Sequence, residues 1–323
     1  MDRLWLAAAV VAGIPLLLVG YITLAEGAVS RLPGRGSGWI RPWLWLAPGL
    51  FFITVFLIYP TVGTLRLSFL GPDSTRPVGL ANYVFVFTDK SMLVALRNNG
   101  LWLVLFTLLT VGLGLLVAVL TDRVRYEAAA KSLVFLPMAV SFTAASVIWK
   151  FMFDYRPPGT PQTGTLNAVL SLIPGFQPRA WLINPPLNNV FLIVAAVWVW
   201  TGFCMVILSA ALKGIPSEVQ EAARVDGATE WQLFWRITFP LLGSTVAVAI
   251  TIMVVFALKT FDVVYVMTNG NYDTQNTAFA QYEQLFVNHD FGHAAAIGVV
   301  LLIAILPVLA FNLRRFQQQE STR

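Results

Sequence analysis

Residues 190–212 read VFLIVAAVWVWTGFCMVILSAAL, 23 residues without a charge, closed by Lys213-Gly214-Ile215-Pro216. At 1.5 Å per residue such a segment crosses the roughly 30 Å of bilayer hydrocarbon as a helix, with its backbone amides bonded internally. Its apolar residues lack the two-residue alternation of a membrane β-strand. Six further stretches read the same way: Leu4–Leu24, Trp43–Phe69, Leu101–Leu120, Leu133–Met152, Phe239–Leu258 and Ala294–Phe311. With 57% hydrophobic and 11% charged residues, a chain of 323 residues has too little polar surface to coat a soluble globule. The expected fold class is therefore an all-α membrane protein with about seven transmembrane helices.

The net charge of +5 suggests no nucleic-acid partner, because the basic residues are scattered at the ends of the apolar stretches. Arg31, Arg35, Arg41, Arg123, Arg125, Lys131, Lys213, Arg224, Arg236, Arg314, Arg315 and Arg323 fall on one side, which the positive-inside rule makes cytoplasmic. The N-terminus is then external and the C-terminus internal, with sizeable external segments near 70–100, 153–189 and 259–293. Residues 1–42 read as an N-terminal anchor helix with a Gly-, Pro- and Arg-rich linker, and 43–323 as a six-helix core. A cleaved signal peptide is the alternative for the first span. Its apolar run exceeds the roughly 7–15 residues usual there, and no small-x-small site follows. Cys204, the single cysteine, lies inside a span and reads as a small apolar residue.

The chemistry-bearing motifs are mostly missing. None of the 23 glycines precedes a lysine, so there is no phosphate-cradling P-loop and no ATPase on this chain. No Gly-x-Ser-x-Gly elbow occurs, and no enzyme activity, cofactor or metal is expected. His289 and His293 have metal-compatible helical spacing, but without a third ligand they read as interfacial histidines. The spans hold no cluster of acids of the kind an ion-coupled carrier uses. Lys259 and Asp262, at i,i+3, read as a self-satisfied interfacial pair or as the outer lining of a solute path. Pro137, Pro216 and Pro240 read as helix starts rather than hinges.

The stretch 213–240 is unusual for a loop between spans. Pro216 stops the preceding helix, and Ser217 with Gln220 predicts a capping box opening a short helix near Glu218. Gly227 supplies a left-handed stop, and Thr229 with Gln232 predicts a second box and a second helix. Pro240 then opens the next span. Small Ala222 and Ala223 would let another protein's backbone come close. A helical hairpin lying on the membrane under Trp231, Phe234 and Trp235 is the competing account.

Glu221-Ala222-Ala223, three residues, Gly227, nine residues, Ile237, one residue and Phe239-Pro240 together resemble, at full spacing, the EAA loop of ABC importer permeases. Phe239 replaces the usual leucine. The resemblance runs from about residue 43 to 315. Through Ile58-Tyr59-Pro60, Gly79-Leu80-Ala81-Asn82-Tyr83, Asn98, Asp226-Gly227-Ala228, Phe261-Asp262 and Thr268-Asn269-Gly270 it narrows to carbohydrate permeases, most of all those of alpha-glucoside and maltose uptake. Gly270-Asn271-Tyr272 departs from the Gly-Gly-Pro frequent there.

The resemblance implies a type I importer core in the cytoplasmic membrane of a prokaryote. It implies a coupling helix in which Glu221, Ala222, Ala223, Asp226, Gly227, Ile237 and Pro240 meet a cytoplasmic ATPase. It also implies a heterodimer with a second permease subunit, two copies of an ATPase that bind ATP and Mg, and an extracytoplasmic sugar-binding protein. The cargo it implies is an oligosaccharide such as maltose or trehalose. Trp198, Trp200, Thr201, Thr251 and Asp262 are candidates for the substrate path, since aromatic faces and uncharged polar groups recognise sugars. The rival readings are an importer for another solute, a polyol or glycerol phosphodiester, and an ion-coupled secondary transporter.

Overall fold

The computed structural model describes residues 2–30, 35–122 and 124–321. Among them the secondary structure is helical, with no strand. The chain divides into two compact units, Met1–Arg66 and Leu67–Arg323.

The first unit contains α1 (Asp2–Ser30) and nearly all of α2 (Arg41–Leu67). Tyr21 Oη donates to the Leu44 carbonyl at 2.5 Å, and Arg41 pairs with Glu26, so the two helices are joined by polar contacts. Leu16, Leu17, Leu24, Phe51, Phe52 and Phe56 are exposed, as suits side chains solvated by lipid.

The second unit comprises α3 (Ala81–Thr88), α4 (Lys90–Leu120), α5 (Glu127–Ala139), α6 (Phe142–Met152), α7 (Thr165–Leu170), α8 (Leu187–Lys213), α9 (Ser217–Val225), α10 (Glu230–Leu241), α11 (Gly243–Lys259), α12 (Asp262–Met267), α13 (Thr277–Tyr282) and α14 (Phe291–Ser321). Its centre is α8, whose Leu192, Ile193, Ala196, Met205 and Leu208 are wholly buried. Small residues let backbones approach in a setting where lipid is as apolar as the core. At Gly202 of α8, a Cβ would lie 2.6 Å from the Val134 carbonyl and 2.7 Å from Phe135 Cα of α5. Cys204 is buried in the same helix, as expected of a small apolar residue.

Four helices are long and apolar enough to span a bilayer: α2, α4, α8 and the Phe291–Phe311 part of α14. Two bent pairs, α5 with α6 and α10 with α11, raise the count to six among the described residues. The expected seventh, Leu4–Leu24, lies in α1. The apolar stretch described there, Pro15–Gly27, is shorter than 18 residues.

Two spans expected to be continuous are bent. The Leu133–Met152 stretch turns by 98° between α5 and α6. Pro137 offers no amide to continue the ladder, Val140 is extended, and Ser141 caps the new helix by accepting from the Ala144 amide at 3.2 Å. The Phe239–Leu258 stretch begins earlier than expected and bends by 67° between α10 and α11. Pro240 thus lies inside α10, two residues before Leu242 at the bend, instead of opening the span. Two of the three prolines that read as helix starts, Pro137 and Pro240, adjoin the bends.

Candidate coupling loop and solute path

At the Lys213 end of α8, Glu127 of α5 is bridged by Lys131 and by Lys213, the latter at 2.6 Å, while Lys131 also reaches Ser209. This ion cluster fixes where the following loop leaves α8. Helix α9 then runs from Ser217, and Pro216 occupies its cap position without any side-chain bond. The expected Ser217–Gln220 capping box is therefore absent. Gln220 is buried instead and lines a cavity of about 230 Å³ with Val119, Leu212, Leu233 and Thr238.

The end of α9 is a complete Schellman stop. Gly227 has φ +84°, its amide donates to the Arg224 carbonyl at 3.1 Å, and the Ala228 amide donates to Ala223 at 3.0 Å. The second capping box is present: Thr229 Oγ1 accepts from the Gln232 amide at 3.3 Å, and Gln232 Oε1 accepts from the Thr229 amide at 3.0 Å. A two-pronged ion pair, Arg224 Nε to Glu230 Oε1 at 2.7 Å and Arg224 Nη2 to Glu230 Oε2 at 3.2 Å, crosses the turn. Glu230 holds the Arg224 guanidinium above its ordinary pKa.

The outward face of α9 carries Glu221, Ala222, Val225 and Asp226, with Val225 87% exposed. Ala223 points the other way and is buried. Of the two alanines, only Ala222 is exposed, whereas Ala223 is buried and lets α9 lie close to its own chain. Ile237 is half-buried within the π-type turn Phe234–Thr238 of α10, and Pro240 is exposed.

The substrate-path candidates do not share one cavity. Trp198 packs edge-on against Trp149, ring centroids 5.8 Å apart, and with Thr201 lines a groove of about 440 Å³ whose other walls include Leu113, Val117, Leu133 and Val194. Thr201 Oγ1 is committed to the Val197 carbonyl at 2.7 Å. Trp200 lies against Phe256 of α11 at 4.4 Å, and its buried indole nitrogen has no partner among the described residues. Thr251 bonds to the Ala247 carbonyl within α11. Asp262 accepts from Thr143 Oγ1 of α6 at 2.9 Å. The expected Lys259–Asp262 pair does not form, because α11 ends at Lys259 and extended backbone at Thr260 takes the two off a common helix. His289 and His293 also fail to share a helix: His289 has φ +54°, and His293 pairs with Asp290 and stacks on Phe85.

Sequence reasoning missed the opposite end of α8. There a pocket of about 490 Å³ is walled by Tyr155, Trp181, Tyr265, Asn269, Asn271 and Tyr272. Buried asparagines shape the segments around it. Asn98 Nδ2 donates to the Asp273 and Gln275 carbonyls, each at 2.7 Å, Asn188 to Tyr272 at 2.7 Å and Asn189 to Asp273 at 3.2 Å. The paired asparagines at the heads of two apolar runs, Asn98-Asn99 and Asn188-Asn189, were the available signal, since a buried carboxamide needs partners.

The family described as "Binding-protein-dependent transport system inner membrane component" matches residues 5–320. The chain is 54% identical over 280 residues to an osmoprotective compounds uptake permease protein of Synechocystis sp., covering 87% of this chain and 100% of that protein. It is 45% identical over 289 residues to an alpha-glucoside transport system permease protein of Rhizobium meliloti, covering 89% and 86%. Among solved structures, it resembles a chain of a bacterial ABC transporter involved in the import of the acidic polysaccharide alginate. The TM-score is 0.69 with 26% identity, over 85% of this chain and 96% of that one.

Proposed function

Because the chain belongs to the family of inner-membrane components of binding-protein-dependent transport systems, we propose that it is the permease subunit of an ATP-driven importer of an alpha-glucoside such as maltose or trehalose. It pairs with a second permease subunit. Together they receive sugar from an extracytoplasmic binding protein and take their power from two copies of a cytoplasmic ATPase that holds ATP and Mg. The membrane is the cytoplasmic membrane of a prokaryote, with residues 1–42 as anchor and linker ahead of the transmembrane domain 43–323.

The observation that carries this reading is the outward face of α9, Glu221, Ala222 and Val225, held at one end of α8 by a glycine stop, a capping box and an ion pair. A lever of this kind transmits force only if its angle to the bundle is fixed. ATP-driven approach of the ATPase subunits would press two such helices together and rock the permease halves. The relative at 54% identity favours a second reading, uptake of an osmoprotective compound. The two overlap in cargo, because sucrose is both an osmolyte and an alpha-glucoside.

The test is sugar-stimulated ATP hydrolysis by the complex assembled with its partner subunits and binding protein, comparing native chain with Glu221→Lys and Gly227→Pro. Loss of stimulation with the membrane subunits still assembled is the expected result. Full activity in both variants would sink the coupling reading.

A further inference from the structure

The pocket at the Leu187 end of α8 lies the length of that helix, roughly 40 Å at 1.5 Å per residue, from the coupling loop. It belongs to the segments that charge distribution makes external. Its volume of about 490 Å³ falls within the roughly 300–1,000 Å³ typical of small-molecule sites.

The walls are built, not incidental. On one side Asn167, wholly buried, donates to the Asp154 and Arg179 carbonyls and accepts from the Arg179 amide and the Trp181 indole, all at 3.0 to 3.1 Å. On the other side Asn98, Asn188 and Asn189 hold the backbone of Tyr272–Gln275. That segment carries left-handed backbone at Asn269, Tyr272 and Asp273, with φ of 52°, 58° and 58°. Such conformations are costly for residues other than glycine and concentrate where a site must keep one shape.

The lining suits one chemical class. Tyr265 stacks on Phe261 and stays 40% exposed, and Tyr272 is 53% exposed, so both leave aromatic surface for the C–H face of a sugar ring. The side chains of Tyr155, Asn269 and Tyr272 make no hydrogen bond to another described residue, and phenols and carboxamides both donate and accept, as sugar hydroxyls require. Lys150 and Asp154 bring one charge of each sign. Lys150 Nζ is turned to the Val266 carbonyl at 3.0 Å and Asp154 accepts from Thr163, and the two formal charges in the lining sum to zero, so the pocket carries no net charge to favour an anionic ligand.

We propose that this pocket is an outer subsite for an uncharged sugar, occupied before the cargo passes between the spans. The proposal rests on the transport reading above and adds to it a location and a charge selectivity.

Ile183→Cys places a thiol in the pocket wall without removing any of the hydrogen-bonding side chains, and the native Cys204 is buried, leaving little background. In the assembled complex, maleimide labelling of this chain is followed with and without trehalose, maltose, galacturonate or glycerol 3-phosphate, and ATP hydrolysis is measured in the same preparation. The uncharged sugar that stimulates hydrolysis should slow labelling about threefold at twice its dissociation constant. Exposed Thr75→Cys should be unaffected, and adding Tyr265→Ala should remove the protection. Stimulation without protection overturns the subsite and leaves the transport reading standing. Equal protection by galacturonate or glycerol 3-phosphate overturns the charge selectivity, and stimulation by no sugar overturns the transport reading and the proposal with it.

Discussion

Replacing Gly227 by alanine should weaken docking of the ATPase by a calculable amount. Gly227 has φ +84°, and a Cβ added there meets nothing within 4 Å, so the cost is backbone strain without a clash. Left-handed backbone costs a residue with a side chain about 1–2 kcal/mol. The strained residue carries two bonds that close α9, Gly227 to Arg224 and Ala228 to Ala223. If docking requires this closed form, the strain is charged to the interaction, and 1–2 kcal/mol corresponds to a factor of about 5–30. Titrating the ATPase against the membrane subunits and reading half-saturation of stimulated hydrolysis measures it. Gly227→Asn should lose far less, because asparagine tolerates this conformation. Alanine and asparagine variants with equal, native half-saturation would refute the reasoning, for they would show that the glycine stop plays no part in presenting the coupling face.

Gly202→Ala should disrupt packing of α8 on α5, since the backbone lies 2.6 Å from the new Cβ; detergent-solubilised protein should melt earlier and assemble less. Asn98→Ala should cost about 1–3 kcal/mol for each carbonyl left without a donor, Asp273 and Gln275, read as a lower melting temperature together with weaker sugar protection of a thiol at position 183. Asp89 caps α4 by accepting from the Ser91 and Met92 amides, and the Ser91 hydroxyl holds its carboxyl below the usual range. A carboxyl depressed in the folded state stabilises above its unfolded pKa, and that contribution is lost as pH falls through the folded value. Asp89→Ala should therefore lower thermal stability near neutrality by about 1 kcal/mol and flatten its decline below about pH 4.

The membrane class, the helical architecture, most span positions and the helix–turn–helix form of residues 213–240 were legible in the sequence. Each depends on local information: an uncharged run of about 20 residues has few alternatives in a bilayer, and a glycine stop followed by Thr229-x-x-Gln232 closes on itself. The neighbouring Ser217-x-x-Gln220 has the same pattern and does not close, because the cavity under α9 takes the Gln220 side chain. Hydropathy could not show the 98° and 67° bends, since both halves of each span are equally apolar. Their directions are set by what Ser141 caps and by how α6 and α11 pack on other elements. Nor could spacing tell Ala222 from Ala223, or draw Asp262 away from Lys259 to Thr143, more than a hundred residues earlier in the chain. By itself the sequence determined which stretches are apolar enough to enter lipid and where the Gly227 stop and the Thr229 cap turn the chain between two of them. The tertiary structure alone decided which polar groups meet, because those meetings join segments far apart in the chain and depend on helix angles that no local pattern encodes.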